Sequence, residues 1–122
     1  MIIPVTPMGA PRMVRSDKWA HREVVDRYHA YKDVINLALP GYVLPEVLKI
    51  EFHIEKPRSW GKKKWLAMCG QYHTQKPDID NLVKGFMDAF HTDDAHVAVI
   101  HAGKYWCVDG EEPCIVLPDH DK

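Results

Sequence analysis

Side chains that can hold a divalent cation are concentrated in one short stretch of this sequence. Asp78 and Asp80 form an Asp-x-Asp pair, Lys84 follows four residues after Asp80, and a second carboxylate pair stands at Asp93 and Asp94. Two carboxylates about 4 Å apart repel each other by roughly 1 kcal/mol in water and by about 4 kcal/mol at an effective dielectric of 20. Carboxylates gathered at one point therefore need a cation, and hard oxygen donors favour Mg²⁺ or Mn²⁺ over zinc.

A basic segment stands directly before these carboxylates. Six lysines and arginines and no acidic residue lie from Lys56 to Lys76, which gives that segment a local charge of about +6. The stretch from Asp78 to Asp94 has five aspartates against one lysine, a net −4. The formal net charge of the whole chain is only −1, which argues against a general nucleic-acid coat protein. The separation of charge is therefore more informative than its sum.

Less specific explanations stay open for the same residues. An aspartate at a helix start is commonly a cap for backbone N–H groups, and Asp80 with Lys84 can form a surface ion pair worth about 0.5 kcal/mol. A phosphatase or phosphotransferase with an aspartate nucleophile also uses Asp-x-Asp, but its pair normally follows an apolar buried strand, whereas this one follows a polar segment. Cys69 and His73 have no partner pair at zinc-finger spacing, so structural zinc is not expected.

The first carboxylate pair falls at the start of a predicted amphipathic helix. Apolar residues recur at helical spacing over Asp78–Phe90, and the proline before this segment suits a helix start. If Asp78 is still extended, its carboxylate converges with that of Asp80, because alternate residues of an extended backbone share a side. Lys84 then lies on the same helical face as Asp80, roughly 6 Å along the axis, and Asp88 continues that stripe.

The remaining hydrophobic patterns predict a small mixed sheet and one further helix. Alternation over residues 48–54 predicts a strand. Helical spacing predicts a helix from Asp17 to Leu39, with Ser16 or Asp17 as its cap and Pro40-Gly41 as its end. Further predicted elements are an edge strand at 2–5, strands at 96–100, 104–108 and 114–117, a turn or bulge at Ala102-Gly103 and a loop over 57–76. The predicted fold class is α+β (mixed α/β): two amphipathic helices packed on a small mixed β-sheet, in the order β-α-β-α-β-β.

The composition indicates one globular domain, residues 1–122. With 122 residues, 46% of them hydrophobic and 27% charged, the chain is long enough for one core and not for two. No apolar run is long enough to span a bilayer, and prolines stand where the apolar core of a signal peptide would be. Three cysteines without a C-x-x-C pair do not suggest a disulfide framework, and Cys107 and Cys114 fall on predicted strands as core thiols. A cytoplasmic, reduced protein is therefore expected.

Residues 73–97 resemble a known family. The run HTQKPDIDNLVKGFMDAF, followed by DDAHV, is similar to the pattern of the RusA-type Holliday junction resolvases: K/R-x-D-x-D-N-L-x-K, then D-A-hydrophobic, then D-D before a strand. Family members usually place several more residues before the D-D pair than the two found in this chain. The resemblance implies catalytic and metal-binding roles for Asp78, Asp80 and Asp94, an essential role for Lys84, and supporting positions at Asp88 and Asp93.

The resemblance also implies an activity. A crossover junction endodeoxyribonuclease of this type would use Mg²⁺, with Mn²⁺ as a substitute, to resolve four-way (Holliday) DNA junctions by paired symmetric nicks in DNA recombination and repair. Two cuts related by a two-fold axis imply a homodimer, in a bacterial cell or a phage-infected host, without a membrane or another protein partner. The alternative is a catalytically impaired module that binds junctions or single-stranded DNA.

Basic and aromatic residues around the acidic pair are the candidate DNA contacts. Such contacts release counterions, so the affinity would depend strongly on salt, although the lysine run is also consistent with a solvated loop. Trp60 and Trp65 have two open interpretations, base stacking or packing. Asn81 is a donor to substrate or a ligand carboxylate, or a local cap. The expected DNA contacts are Arg12, Arg15, Arg58, Lys62, Lys63, Lys64, His73 and Lys76.

Overall fold

The computed structural model describes residues 1–11, 23–90 and 94–119, without the Asp94 side chain. In this part of the chain, three α-helices and one short 3-10 helix accompany a four-stranded sheet. The elements are β1 (Ile2–Ile3), α1 (Glu23–Ala38), β2 (Val47–Ile54), α2 (Lys62–Met68), α3 (Ile79–Met87), the 3-10 helix (Asp94–His96), β3 (Val99–Trp106) and β4 (Cys114–Val116). No helix within these ranges is both long and apolar enough to cross a bilayer.

The sheet is mixed and has the strand order β1-β4-β2-β3. β2 and β3 pair in parallel, whereas β4 pairs antiparallel with both β2 and β1. β1 lies at an edge, as the proline directly after it predicts, because proline cannot donate to a central ladder. The predicted fold class, a small α+β domain with helices on a mixed sheet, is confirmed.

The two faces of the sheet differ in burial because side chains alternate along each strand. Leu48, Ile50 and Phe52 of β2 and Ile115 of β4 point to the face that α1 and α3 cover, and each is at most 1% exposed. We call this the covered face. The opposite side, which we call the open face, carries the intervening residues of β2 and β4, and those of β2 are exposed or half-buried.

The helix α3 fits the covered face because one of its stripes is apolar and one of its residues is glycine. Leu82, Val83 and Phe86 are buried in the core. A Cβ atom on Gly85 would lie 2.6 Å from the backbone oxygen of Met8, so only glycine lets the N-terminal segment pack this closely. This contact brings the start of the chain beside α3.

Two predictions about secondary structure are wrong. The segment 57–76, predicted as a loop, contains the helix α2. This helix is only seven residues long and has no side-chain cap, so neither a hydrophobic periodicity nor a capping residue indicated it. The predicted turn or bulge at Ala102-Gly103 is part of the continuous strand β3, because parallel pairing with Ile50 and Glu51 of β2 keeps both residues in the ladder.

The strands predicted at 96–100 and 104–108 are one strand, Val99–Trp106, preceded by the 3-10 helix Asp94–His96, whereas the remaining predicted helices and strands are present where the structure describes them. The first helix ends at Ala38 and is followed by Gly41 with φ +72°. The strand predicted at 48–54 and the last strand are both present. The predicted start of the first helix, with Ser16 or Asp17 as cap, lies outside the described residues.

Candidate active site

The carboxylates of Asp78 and Asp80 line one open cavity at the start of α3. Asp78 has extended backbone angles, φ −68° and ψ 146°, and stands at the N-cap position, as the sequence pattern predicts. Its side chain makes no capping hydrogen bond to the helix. Both aspartates are exposed and border a cavity of about 650 Å³ together with Lys76, Pro77 and Asn81. Asp78 is therefore not explained as a helix cap, and its carboxylate is available to a ligand.

Lys84 is held by Asp88. Its Nζ lies 3.3 Å from both carboxylate oxygens of Asp88, four residues further along α3. The hydroxyl of Tyr28, on α1, donates a hydrogen bond of 2.7 Å to Asp88 Oδ2. Burial raises the pKa of the Tyr28 hydroxyl, and the hydrogen bond to Asp88 adds to that increase. The α1 helix thus orients Asp88, and Asp88 orients the Lys84 ammonium on the exposed side of α3.

Lys104 of β3 fixes the backbone that leads into Asp78. Its Nζ donates to the carbonyl oxygen of Pro77 at 2.7 Å and also to that of Gln75. No local pattern indicates this role of Lys104, because the contact joins residues 27 positions apart. The Lys104 ammonium thus holds the backbone that precedes the acidic pair, through charge-assisted hydrogen bonds to these two carbonyl oxygens.

Asn81 joins α3 to the N-terminal segment. Its Nδ2 donates to the carbonyl oxygen of Ala10 at 3.0 Å, and the Ala10 N–H donates to the Asn81 carbonyl oxygen at 3.3 Å. A side chain on Gly9 would meet the Asn81 amide at 2.7 Å. The Asn81 amide is therefore used within the protein, where it packs residues 9 and 10 against the acidic pair.

His73 is buried, so its predicted contact with DNA is contradicted. The side chain is only 3% exposed, and its ring lies 4.1 Å from the Trp106 ring, centroid to centroid. Desolvation lowers the pKa of His73, and the nearby positive charge of Lys104 lowers it further. A ring that is buried to this extent offers no surface to a phosphate.

The other predicted DNA contacts within the described ranges lie at the surface. Arg58, Lys76 and the three lysines at 62–64 are all exposed. Lys64 Nζ lies 4.7 Å above the Trp60 ring, and that ring packs 4.5 Å from Trp106, so Trp60 is used for packing. Arg12 and Arg15 lie outside the described residues.

The second carboxylate pair is not described at the level of side chains. Asp93 lies outside the described residues, and Asp94 is placed only through its backbone, at the start of the 3-10 helix. Among the side chains that the structure does describe, no third ligand joins Asp78 and Asp80 within 4.8 Å. Asp94 as the third ligand therefore stays a prediction.

The three cysteines are free thiols. Cys107 and Cys114 are buried, as predicted for core residues, whereas Cys69 is half-buried. Burial raises the pKa of the Cys107 thiol to about 12, and the carboxylate of Glu111 contributes to the increase.

Comparison with known proteins agrees with this geometry. The chain matches the sequence profile of the family described as Endodeoxyribonuclease RusA over residues 3–115, nearly its whole length. Neither the curated proteins nor the solved structures gave a significant match. The matched range includes all three helices, the acidic pair at the start of α3 and most of the sheet. The chain therefore belongs to the RusA endodeoxyribonuclease family.

Proposed function

We propose that this protein is a Mg²⁺-dependent endodeoxyribonuclease that resolves four-way DNA junctions by paired symmetric nicks, in recombination and repair. Family membership supplies the nuclease class. The observation that carries the choice of residues is the Asp78 carboxylate, which caps no helix N–H and borders an open cavity with Asp80. The proposed setting is the cytoplasm of a bacterial cell or a phage-infected host.

The donor set around the cavity fits Mg²⁺. The residues that line it offer carboxylate and amide oxygens, with no thiolate or imidazole among them. Such hard donors suit Mg²⁺ and also Mn²⁺. Asp78 and Asp80 are the proposed ligands, and Asp94 is the proposed third. The bound metal would lower the pKa of an attacking water and neutralise charge on the phosphate oxygens.

Lys84 is proposed to stabilise the negative charge that develops on the phosphate in the transition state. Its ammonium is exposed, and Asp88 and Tyr28 fix its direction. A cation that is already oriented needs little reorganisation when charge develops, which is the basis of electrostatic stabilisation. Lys104 and Asn81 act on the protein itself, since they hold the two backbone segments that flank the carboxylates.

The basic residues before the cavity form the proposed DNA-binding surface. Lys62, Lys63 and Lys64 stand in the first turn of α2, where the helix dipole is positive and disfavours cations. These lysines therefore do not stabilise the helix, whereas binding to a polyanion would explain their presence. Lys76 extends this positive charge to the cavity. Because a four-way junction is cut twice about a two-fold axis, we propose that a homodimer presents two such surfaces.

The direct test is cleavage of a synthetic four-way junction with and without Mg²⁺, compared with a linear duplex of the same sequence. Wild-type protein should nick the junction symmetrically only with the metal. Asp80→Asn should lose cleavage but keep junction binding, because the change removes a metal ligand and one repulsive charge. Asp33→Asn, an exposed aspartate on α1, is the matched control and should cut normally. Junction binding by wild type without cleavage at any Mg²⁺ or Mn²⁺ concentration would instead support the impaired binding module.

A further inference from the structure

Three side chains of different chemistry converge on the open face of the sheet. His53 of β2 and Cys114 of β4 are direct partners in the antiparallel ladder, so their side chains lie next to each other. Glu111, three residues before Cys114, points its carboxylate at both. His53 Nδ1 lies 2.6 Å from Glu111 Oε2, and Cys114 Sγ lies 4.0 Å from the same oxygen. All three potential ligand atoms lie within 4.8 Å of one another.

The outer contacts of this cluster orient its members. His53 Nε2 lies 3.0 Å from Glu51 Oε1, so the ring nitrogen that points away from the cluster is held by a carboxylate. Glu111 Oε1 accepts a hydrogen bond of 3.0 Å from the Val108 backbone N–H, which leaves Oε2 directed into the cluster. A histidine whose second nitrogen meets a carboxylate is the usual arrangement around protein-bound metals.

The turn that carries Glu111 is fixed by the backbone. The Glu111 N–H donates to the Val108 carbonyl oxygen at 3.1 Å, and Gly110 has φ +80°. No described residue other than glycine has positive φ, so Asp109 has negative φ and the turn is of type II, in which glycine is favoured at the third position. The Glu111 carboxylate is thus placed by a short turn and not by a flexible loop.

We propose that His53, Glu111 and Cys114 form a zinc-binding site with Glu51 as the carboxylate behind the histidine. One imidazole nitrogen, one thiolate and one carboxylate form a mixed donor set that suits Zn²⁺, with a fourth position open to water. The Cys114 thiol releases its proton to solvent when the metal binds. Bond lengths of about 2.0–2.3 Å place tetrahedral ligand atoms roughly 3.3–3.7 Å apart. The 2.6 Å separation of His53 Nδ1 and Glu111 Oε2 must therefore widen by about 0.7 Å, and the 4.0 Å separation of Cys114 Sγ and Glu111 Oε2 must shorten by about 0.5 Å.

The burial of the cluster suits a metal that binds from solvent. Cys114 is 4% exposed, whereas the side chains of His53 and Glu111 are 19% and 23% exposed. The thiol side is therefore dry and the other two ligands border water. A metal held there would link β2, the turn before β4 and β4 through His53, Glu111 and Cys114.

This cluster is separate from the Asp78–Asp80 cavity. His53 lies on the open face, whereas Phe52 and the neighbouring Lys104 lie on the covered side, where Lys104 reaches the carbonyl oxygen of Pro77. None of the three proposed zinc ligands lines the cavity. The zinc proposal therefore does not depend on the nuclease proposal.

The test is a titration of metal-free protein with Zn²⁺ by calorimetry and with Co²⁺ by absorption. Wild type should bind one Zn²⁺ per chain, and Co²⁺ should produce a thiolate charge-transfer band. Cys114→Ser should abolish the band, and Cys69→Ser is the matched cysteine control that should keep it. Because Cys114 is buried, Glu111→Gln is the second variant, since a glutamine oxygen can still accept from the Val108 N–H.

Variants that replace the glutamates test the site through the size of the change in Zn²⁺ affinity. Glu111→Gln should weaken Zn²⁺ by more than tenfold, and Glu51→Gln should weaken it by roughly 10–100-fold, the usual effect of removing a carboxylate behind a ligating histidine. Glu112→Gln, an exposed neighbour, should bind as wild type does. The same Zn²⁺ affinity in wild type and Glu111→Gln, or no thiolate band with Co²⁺, would overturn the proposal and leave a metal-free network of His53 between two carboxylates. Asp80→Asn should bind Zn²⁺ normally.

Discussion

The acidic cavity on the helical side of the molecule and the His53 cluster on the open face of the sheet are candidate cation sites that are built in two different ways. At the cavity, exposed carboxylates come from alternate positions of one chain segment, and their placement depends on contacts that Lys104 and Asn81 make to the backbone. At the cluster, one buried thiol and two half-buried donors come from β4, from β2 and from the turn before β4, which strand pairing brings together. Exposure and hard donors suit an exchangeable Mg²⁺ that meets DNA, whereas mixed donors suit a retained Zn²⁺.

The two sites also differ in what the sequence could reveal. The Asp78–Asp80–Lys84 spacing is local, so helix and strand periodicities were enough to predict the extended backbone at the N-cap, whereas a metal between the two carboxylates stays a prediction. The ladder pair of His53 with Cys114 depends on which strands are neighbours, and periodicity along one strand carries no such information. A candidate cation site within one segment can therefore be proposed from this sequence, whereas one across the sheet cannot.

The largest expected effect is that a variant of either site loses the function of that site and keeps the function of the other. Asp78→Asn should lower junction cleavage by roughly 10²–10³-fold, the scale expected when one preorganised charge-stabilising group is removed, and should leave Zn²⁺ binding unchanged. Glu111→Gln should show the opposite pattern, with cleavage within about twofold of wild type. Single-turnover cleavage and Zn²⁺ calorimetry on both variants make the comparison. Loss of both functions in either variant would show that the two sites are coupled.

Substitution of Gly85 and of Gly103 allows a comparison of the packing around α3 with that on the open face of the sheet. An added Cβ would lie 2.6 Å from the Met8 backbone oxygen at Gly85 and 2.6 Å from the Tyr105 hydroxyl at Gly103. Backbone cannot move away, but a tyrosine ring can rotate, so Gly85→Ala should destabilise by about 1–3 kcal/mol and Gly103→Ala by less. Urea unfolding of both variants measures the difference. Equal losses would mean that the N-terminal segment yields as easily as a side chain.

The Tyr28–Asp88 hydrogen bond should have a smaller effect, on stability and on catalysis together. Tyr28→Phe removes the 2.7 Å bond that orients Asp88, at a cost of about 1–2 kcal/mol in the free energy of unfolding. Lys84 then loses part of its orientation, so kcat for cleavage should fall several-fold while KM stays near its wild-type value. A change in KM alone would indicate that Asp88 acts in binding DNA and not in holding Lys84.

The smallest expected effect is a pH dependence from His73. Its pKa is lowered from 6.5 by burial, so the unfolded chain takes up a proton at a higher pH than the folded chain does. Stability should therefore decrease as the pH falls below about 6.5, until the folded-state pKa is passed. His73→Phe, which keeps a ring against Trp106, should reduce this acid-side loss. Thermal unfolding between pH 7.5 and 5 measures it, and the same slope in both proteins would contradict the assignment.

Particular residues show why the rest of the fold was not predictable. Six of the seven residues of α2 are good helix formers, but the helix is short, has no side-chain cap and carries three lysines at its start, so capping and periodicity did not indicate it. Gly103 suggested a turn, but its place in β3 lets the Tyr105 ring lie across it, a contact within the folded strand. His73 was expected at the DNA because it adjoins the acidic motif, yet the backbone bond from its N–H to the Lys104 carbonyl oxygen turns it inward.

The central claim is that the Asp78 and Asp80 carboxylates hold a divalent ion. The most direct measurement is a Mn²⁺ titration followed by electron paramagnetic resonance, in which only the fraction that Mg²⁺ displaces is counted. We expect Mg²⁺-displaceable binding in wild type and in Asp33→Asn, and binding at least about tenfold weaker in both Asp78→Asn and Asp80→Asn. Equal affinity of wild type and these two variants would contradict it.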